Sequence, residues 1–306
     1  MRILVTGSTG LIGSALAARL AAAGHEVMRL VRTPPAAGSA DVFWDPAAGH
    51  LAAARLQGVD AAVHLAGESI GGGRWTPARK RRIRDSRVQG TSLLATALAR
   101  LAPPPRLLIS ASAIGYYGDR GDDILREESP PGTGFLAEVC RDWEAAADPA
   151  RRAGIRVVHL RQGLVLCGTG GALARMMPPF RAGLGGRLGS GAQYMSWITL
   201  ADLLGIIEHS IAREDMRGAV NAVSPQPVTN LEFTRTLGRL LSRPAFCAVP
   251  ALALRFALGE MATPLLLHSA RVVPARLLDS GYVFQHADLE SALCWALGRR
   301  SEAPAL

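Results

Sequence analysis

The sequence predicts an α/β fold, a doubly wound parallel sheet followed by a small, mostly helical C-terminal lobe, and three observations predict it. Short apolar runs at 3–5, 25–31, 60–65, 106–110 and 155–160 alternate with stretches of helical apolar spacing. Gly7, Gly10 and Gly13 join the first run directly to the first helical stretch. There is no internal repeat, and no apolar run approaches the ~18 residues that span a bilayer.

The organising stretch is 2–20, RILVTGSTGLIGSALAARL, which reads strand, glycine turn, helix. In such a unit the turn lets the backbone approach a pyrophosphate, and the helix start offers unpaired N–H groups at the positive end of its dipole. The spacing is G-x-x-G-x-x-G, a looser relative of the usual dinucleotide fingerprint. Gly7, Ser8, Thr9, Gly10, Leu11, Ile12 and Gly13 are therefore the expected pyrophosphate cradle of a Rossmann-type domain.

The second strand, 25–31, ends at Arg32. An acid at this place hydrogen-bonds the ribose of NAD, whereas an arginine suits the 2′-phosphate of NADP. Glu26 stands at the start of the strand, so NADP is expected in preference to NAD, with a plain surface arginine as the alternative. A short third strand is read at 41–44. The strand at 60–65 leaves through His64, Leu65, Ala66 and Gly67, small residues past which a cofactor can run, with His64 as a hydrogen-bond donor or as a structural histidine. Gly71 to Gly73 form a loop over the same edge. Thr76-Pro77 starts a helix carrying Arg79, Lys80, Arg81, Arg82, Arg84 and Arg87, which stops before Pro103. The next strand, 106–110, ends in Ser110, Ala111, Ser112 and then Tyr116, hydroxyls placed to reach an alcohol or carbonyl.

A helix is expected over 134–152 and a sixth strand over 155–160. Beyond 166 the chain becomes glycine-rich, with a helical piece at 173–180, a strand at 195–198, a helix at 200–213, a last sheet strand at 219–223 and a helix from 229 to 242. The domain reading is 1–166 as the dinucleotide-binding domain, to which 196–223 returns, with 167–195 and 224–306 as the substrate lobe. The tail 299–306 is expected to be disordered.

Net charge is +9 over 306 residues, and Lys80 is the only lysine. The basic residues are spread along the chain and their one dense run lacks interleaved aromatics, so nucleic-acid binding is not expected. Cys140, Cys167, Cys247 and Cys294 show no C-x-x-C spacing, so neither a disulfide framework nor a metal site is expected. With no charged n-region and apolar h-region at the N-terminus, a soluble cytoplasmic protein acting on a small molecule, away from membranes, is the expectation.

Assembled, these residues resemble the extended short-chain dehydrogenases/reductases, and more narrowly the bacterial epimerase family proteins of the YfcH type. The resemblance covers nearly the whole chain. It rests on TGSTGLIG (6–13), HLAGESI (64–70), RWT (74–76), IRDSRVQGT (83–91), ISASAIGYYGD (109–119), FLAEVCRDWE (135–144), LRQGLVL (160–166), GGRLGSGAQYMSWIT (185–199) and NAVSPQPVTN (221–230). The segment 259–293 is similar to the small uncharacterised domain that closes that family. The resemblance implies an NADP-dependent oxidoreductase or an enzyme like the nucleotide-sugar epimerases. It also implies that Arg87 stands where many extended members have an Asn facing the active site.

The superfamily's chemistry depends on a Tyr-x-x-x-Lys pair and a serine. Ser112 matches the serine. The pair is absent, since no tyrosine precedes Lys80 by four residues. Tyr116 beside Ser112, with a nearby arginine lowering its pKa, is the leading replacement. Glu138 or Cys140 from the following helix are the others, and Arg161 is as readily a packing residue as a catalytic one. Arg175, Arg181 and Arg187 are candidates for a second diphosphate. The rival reading is a dinucleotide-binding sensor or scaffold that lost turnover.

Overall fold

The structure, a computed structural model, describes residues 1–36 and 38–299; apart from Arg299, the expected tail lies outside the described residues. Eight strands form one sheet: β1 (Arg2–Thr6), β2 (Glu26–Val31), β3 (Val42–Asp45), β4 (His50–Leu51), β5 (Ala61–His64), β6 (Leu107–Ala113), β7 (Arg156–Gln162) and β8 (Gly218–Ala222). Their order is β8-β7-β6-β5-β1-β2-β3-β4. The pairs β1–β2, β1–β5, β2–β3 and β5–β6 are parallel, and β4 closes the edge as an antiparallel hairpin with β3. The order reverses at β1, so the crevice at the carboxyl ends of β1 and β5 is the topological switch point where ligands of such sheets bind.

Local chemistry explains the helices. In α1 (Leu11–Ala22) Leu16 and Leu20 are buried one turn apart. The long α2 (Pro77–Ala99) starts where the Thr76 hydroxyl accepts the Arg79 N–H and Pro77 occupies the first turn, where its missing N–H costs nothing. The helix expected over 134–152 is two, α3 (Phe135–Ala145) and α4 (Asp148–Arg152), divided just before Pro149, which has no N–H to carry the ladder on. Strand β6 runs to Ala113, so Ser110, Ala111 and Ser112 lie within the strand and not beyond it. The strand expected at 195–198 is two: Tyr194–Met195 pairs antiparallel with Val228–Thr229, and Trp197–Thr199 parallel with Leu164–Leu166.

Contacts divide the chain into two compact units, interleaved more finely than the boundaries read from the sequence. Unit 1 comprises Met1–Ala113, Glu138–Leu160 and Ile207–Val220. Its core joins Leu4, Met28, Leu30 and Trp44 to Leu94 and Leu98 of α2 and to Leu108 and Val157. Unit 2 comprises Ile114–Ala137, Arg161–Ile206 and Asn221–Leu306. There α5 (Gly171–Arg181), α7 (Asn230–Leu241) and α10 (Leu289–Ala296) bury Leu173, Phe180, Phe233, Leu237 and Leu293 around Trp197. Among the described residues no helix is long and apolar enough to cross a membrane.

Within unit 2 one buried carboxylate holds a loop in place. Asp202, in the first turn of α6 (Leu200–Ala212), accepts the N–H groups of Gln285 (2.7 Å) and His286 (3.1 Å) and the Thr199 hydroxyl (2.8 Å). Replacing Asp202 by Ala leaves those donors without their acceptor, at about 1–3 kcal/mol for each buried group. We expect Asp202→Ala to lower unfolding free energy by roughly 2–4 kcal/mol, read as a reduced urea midpoint at unchanged m-value. A change below about 0.5 kcal/mol contradicts this role.

Candidate functional site

The glycine turn builds a cradle at the end of β1. Gly7 has φ +67°, and a Cβ there would lie 2.8–2.9 Å from the backbone of Leu65 and Ala66. A Cβ on Gly13 would fall inside the Gly7 carbonyl group, so only glycine lets α1 rest directly on the turn. Gly10 differs: it is exposed, and its space is restricted only by the Gly7 oxygen at 3.3 Å. One glycine therefore makes the turn, one seats the helix and one leaves the backbone open to a ligand. No acidic residue stands in the first turn of α1, and Gly10 provides no side-chain cap, so the first N–H groups of the helix have neither an intrahelical acceptor nor a competing carboxylate. The Ser8 hydroxyl is buried at 6 % exposure and has no hydrogen-bond partner among the described residues. A buried hydroxyl without a partner beside a helix N-terminus is a donor awaiting an anion, and these residues fit a dinucleotide pyrophosphate.

Behind the cradle, the Thr6 hydroxyl ties β1 to β5. It accepts the N–H groups of Leu65 (3.1 Å) and Ala66 (3.2 Å) and lies 2.7 Å from Nδ1 of His64. With both its lone pairs engaged, the hydroxyl gives its proton to Nδ1, and the imidazole carries its own proton on Nε2. His64 is wholly buried, in edge contact with Trp44, and its Nε2 has no partner. Burial holds its pKa down to about 4, so it is neutral at physiological pH. His64 thus supports Leu65 and Ala66 from inside the sheet. Ser110, its register neighbour on β6, is equally buried, and Ala111 nearly so.

Arg87 comes from α2 to the same strand end. Its Nη1 donates to the carbonyls of Glu68 (2.9 Å) and Ile83 (3.1 Å), its guanidinium lies 5.0 Å from the Trp143 ring centre, and it packs over Gly67. Burial lowers its pKa, which still leaves an arginine charged. The loop before α2 is tied down by Trp75 Nε1–H to the Ile70 carbonyl (2.9 Å) and by Arg79 to the Ser69 carbonyl (2.6 Å). On the other side, Arg32 ends β2 exposed and without a hydrogen-bond or ion-pair partner among the described residues.

Ser112, near the end of β6, is buried and donates its hydroxyl hydrogen to Oε1 of Glu144 on α3 at 2.7 Å. Glu144, one turn after Cys140 on α3, is not among the sequence candidates and carries no local signal of its own. Of the two helix residues that are, Glu138 is exposed and Cys140 is buried.

Tyr116 belongs to unit 2, in a helical turn (Ile114–Tyr117) after β6. Arg161 lies on the face of its ring, 3.4 Å from the centroid, and donates through Nη1 to the Tyr117 hydroxyl (2.9 Å) and the Glu127 carbonyl (3.0 Å). The arginine stacks on Tyr116 instead of approaching its oxygen, and the Tyr116 hydroxyl has no partner among the described residues. Tyr117 is the buried one: it donates to Asn221 at 2.7 Å, and burial outweighs Arg161 to push its pKa up to about 12. Arg181, Arg243 and Arg299 line a surface pocket near the C-terminal ends of α5, α7 and α10, where cations offset the helix dipoles. Arg187 bonds the Gly189 carbonyl and is not among that pocket's residues. Among the described residues no group of three or more His, Cys, Asp or Glu is arranged to hold a metal.

A parallel sheet with a glycine-turn cradle at its switch point defines a nucleotide-binding protein of the Rossmann type. Residues 3–219 match the NAD dependent epimerase/dehydratase family and residues 249–296 a domain of unknown function, DUF1731. The chain belongs to that epimerase/dehydratase family. It is 46 % identical to Epimerase family protein Mb2239 of Mycobacterium bovis over 97 % of this chain and 98 % of that one. The human epimerase family protein SDR39U1 is 39 % identical over 96 % of this chain and 98 % of its own. A crystal structure of the human protein (isoform 2) with NADPH superposes at TM-score 0.88, with 36 % identity, over 97 % of this chain and 99 % of that one.

The buried imidazole makes stability depend on pH. His64 has a folded pKa of about 4 against 6.5 in an unfolded chain, so the unfolded state binds the proton first. Its contribution is complete above pH 6.5 and is lost as pH falls from there through about 4, on the order of 3 kcal/mol in total. We expect the urea midpoint to fall across that window and the His64→Asn variant to show a flatter profile. Parallel profiles for the two proteins would contradict the assignment.

Proposed function

We propose that this chain is an NADP(H)-dependent oxidoreductase of the extended short-chain dehydrogenase/reductase kind, related in mechanism to the nucleotide-sugar epimerases. The observation that carries the reading is the cradle itself: an open Gly10, unshielded N–H groups and a buried Ser8 hydroxyl without a partner among the described residues. The NADPH in the human relative's structure supports the same reading. Leu11, Ile12 and Ser8 donate to the pyrophosphate, with Gly7, Thr9, Gly10 and Gly13 shaping the turn. Arg32 meets the 2′-phosphate. Leu65, Ala66 and Gly67, braced by His64 and Arg87, form the floor under the ribose, and Ser110 and Ala111 carry β6 past it. Bound dinucleotide supplies the hydride acceptor or donor; Ser112 orients the substrate oxygen, and Tyr116, whose hydroxyl has no partner among the described residues, is the second candidate hydroxyl.

A second reading, an NADP(H)-binding sensor or scaffold without turnover, is favoured by the absence of Tyr-x-x-x-Lys and by the raised pKa of Tyr117. Titration with NADPH followed by its fluorescence tests both, and no change would sink them together. Arg32→Ala is expected to weaken NADPH by on the order of tenfold or more, the worth of a charge-assisted hydrogen bond, and to leave NADH nearly unchanged. Equal losses for the two nucleotides would reject the 2′-phosphate contact. Hydride transfer across a panel of sugars, aldehydes and quinones then separates enzyme from sensor. Ser112→Ala and Tyr116→Phe are each expected to cut turnover about a hundredfold; unchanged rates in both reject the pair.

A further inference from the structure

We infer that Ser112 and Glu144 form a proton relay that takes over the acid–base role of the absent tyrosine and lysine, so that the substrate is an alcohol or its carbonyl counterpart. The inference rests on the NADP(H) reading above and deepens it. Ser112 points its only hydrogen at a carboxylate 2.7 Å away. A serine so engaged presents lone pairs, not a proton, to whatever lies in front of it, which is the arrangement needed to receive a proton from an alcohol.

The sheet places this pair where the reacting carbon belongs. Across β2, β1, β5 and β6 the parallel register aligns Leu30, Thr6, His64 and Ser110, so their carboxyl ends share one edge. A dinucleotide anchored at Gly10, with its 2′-phosphate at Arg32 beyond β2, has its other half directed across β5 to β6, about 10 Å or two strand spacings away. Ser112 lies two residues past Ser110 on that strand. Glu144 reaches it from α3, the helix that in the superfamily carries the tyrosine and lysine, and both residues belong to unit 1.

The step balances without any further reactant. The alcohol O–H proton passes to Ser112 Oγ as the serine proton passes to the Glu144 carboxylate. The C–H bond breaks with its electron pair going as hydride to oxidised NADP, leaving the carbonyl compound, reduced NADP and a protonated Glu144. Reduction runs the same path backwards. A carboxylic acid has a pKa far below that of an alcohol, so the relay gains its driving force from the hydride leaving in the same step.

A simple structural role for Glu144, satisfying a buried hydroxyl, makes a different prediction. Glu144→Gln keeps an acceptor oxygen for Ser112 and removes only the titrating charge. The first measurement needs no substrate: the ratio of NADP+ to NADPH affinity between pH 5 and 7.5, in which titration of the shared 2′-phosphate cancels. The oxidised ring is cationic and favours an ionised Glu144. The ratio is expected to rise with pH as Glu144 ionises. It should stay flat in Glu144→Gln, with a thermal midpoint within a few degrees of wild type. It should still rise in Ser112→Ala, which keeps the carboxylate, while alcohol oxidation falls about a hundredfold in both variants. A wild-type protein that binds neither nucleotide overturns the underlying reading. Binding of both, with the same pH dependence in wild type and Glu144→Gln, overturns the relay alone.

Discussion

Everything at the carboxyl edge of the sheet depends on the absence of a side chain at Gly13. Because α1 lies directly on the Gly7 carbonyl, the helix cannot be set back, and its first N–H groups are delivered at the mouth of the β1–β5 crevice. Gly7 must in turn take a positive φ to fit against Leu65 and Ala66. The Thr6 hydroxyl fastens that contact by receiving both of their N–H groups. Three short residues of one motif thus hold two strand ends and one helix in register without any large side chain, which is why the surface they leave is open to a ligand.

The periodic parts of this chain were legible because burial leaves a mark at every second or every third to fourth residue. Strands β1, β2, β5, β6 and β7 and the long α2 fall close to their expected places, as does the glycine turn. Short pairings were not legible. A two-residue strand such as β4 or Ile124–Leu125 is defined by its partner and carries no period of its own. The split of the helix before Pro149 was signalled by the proline, yet the apolar spacing continues through it. The candidate site divided along the same line. The glycine turn is readable because its steric demand is local, whereas the Ser112–Glu144 hydrogen bond joins residues 32 apart that no local pattern links.

The polar side chains that follow β6 are largely engaged with one another. Of the two tyrosines after β6, Tyr117 is committed to Asn221 and Arg161 and is kept protonated by burial. Tyr116 has the Arg161 guanidinium across its ring face, 3.4 Å from the centroid. Glu127, buried with a raised pKa and one oxygen receiving the Asn221 and Arg276 N–H groups, belongs to the same cluster. Arg87 and Arg161 are engaged with backbone carbonyls and aromatic faces.

The Thr6–His64 pair also gives the molecule an internal spectroscopic probe. An imidazole held as a single tautomer, with its Nε2 hydrogen sealed beside Trp44 and away from water, exchanges that hydrogen slowly enough to yield a separate downfield proton resonance. Its position will register movement of the β1 and β5 ends, so that occupancy of the cradle in front of it can be followed by one-dimensional NMR without isotopic labelling.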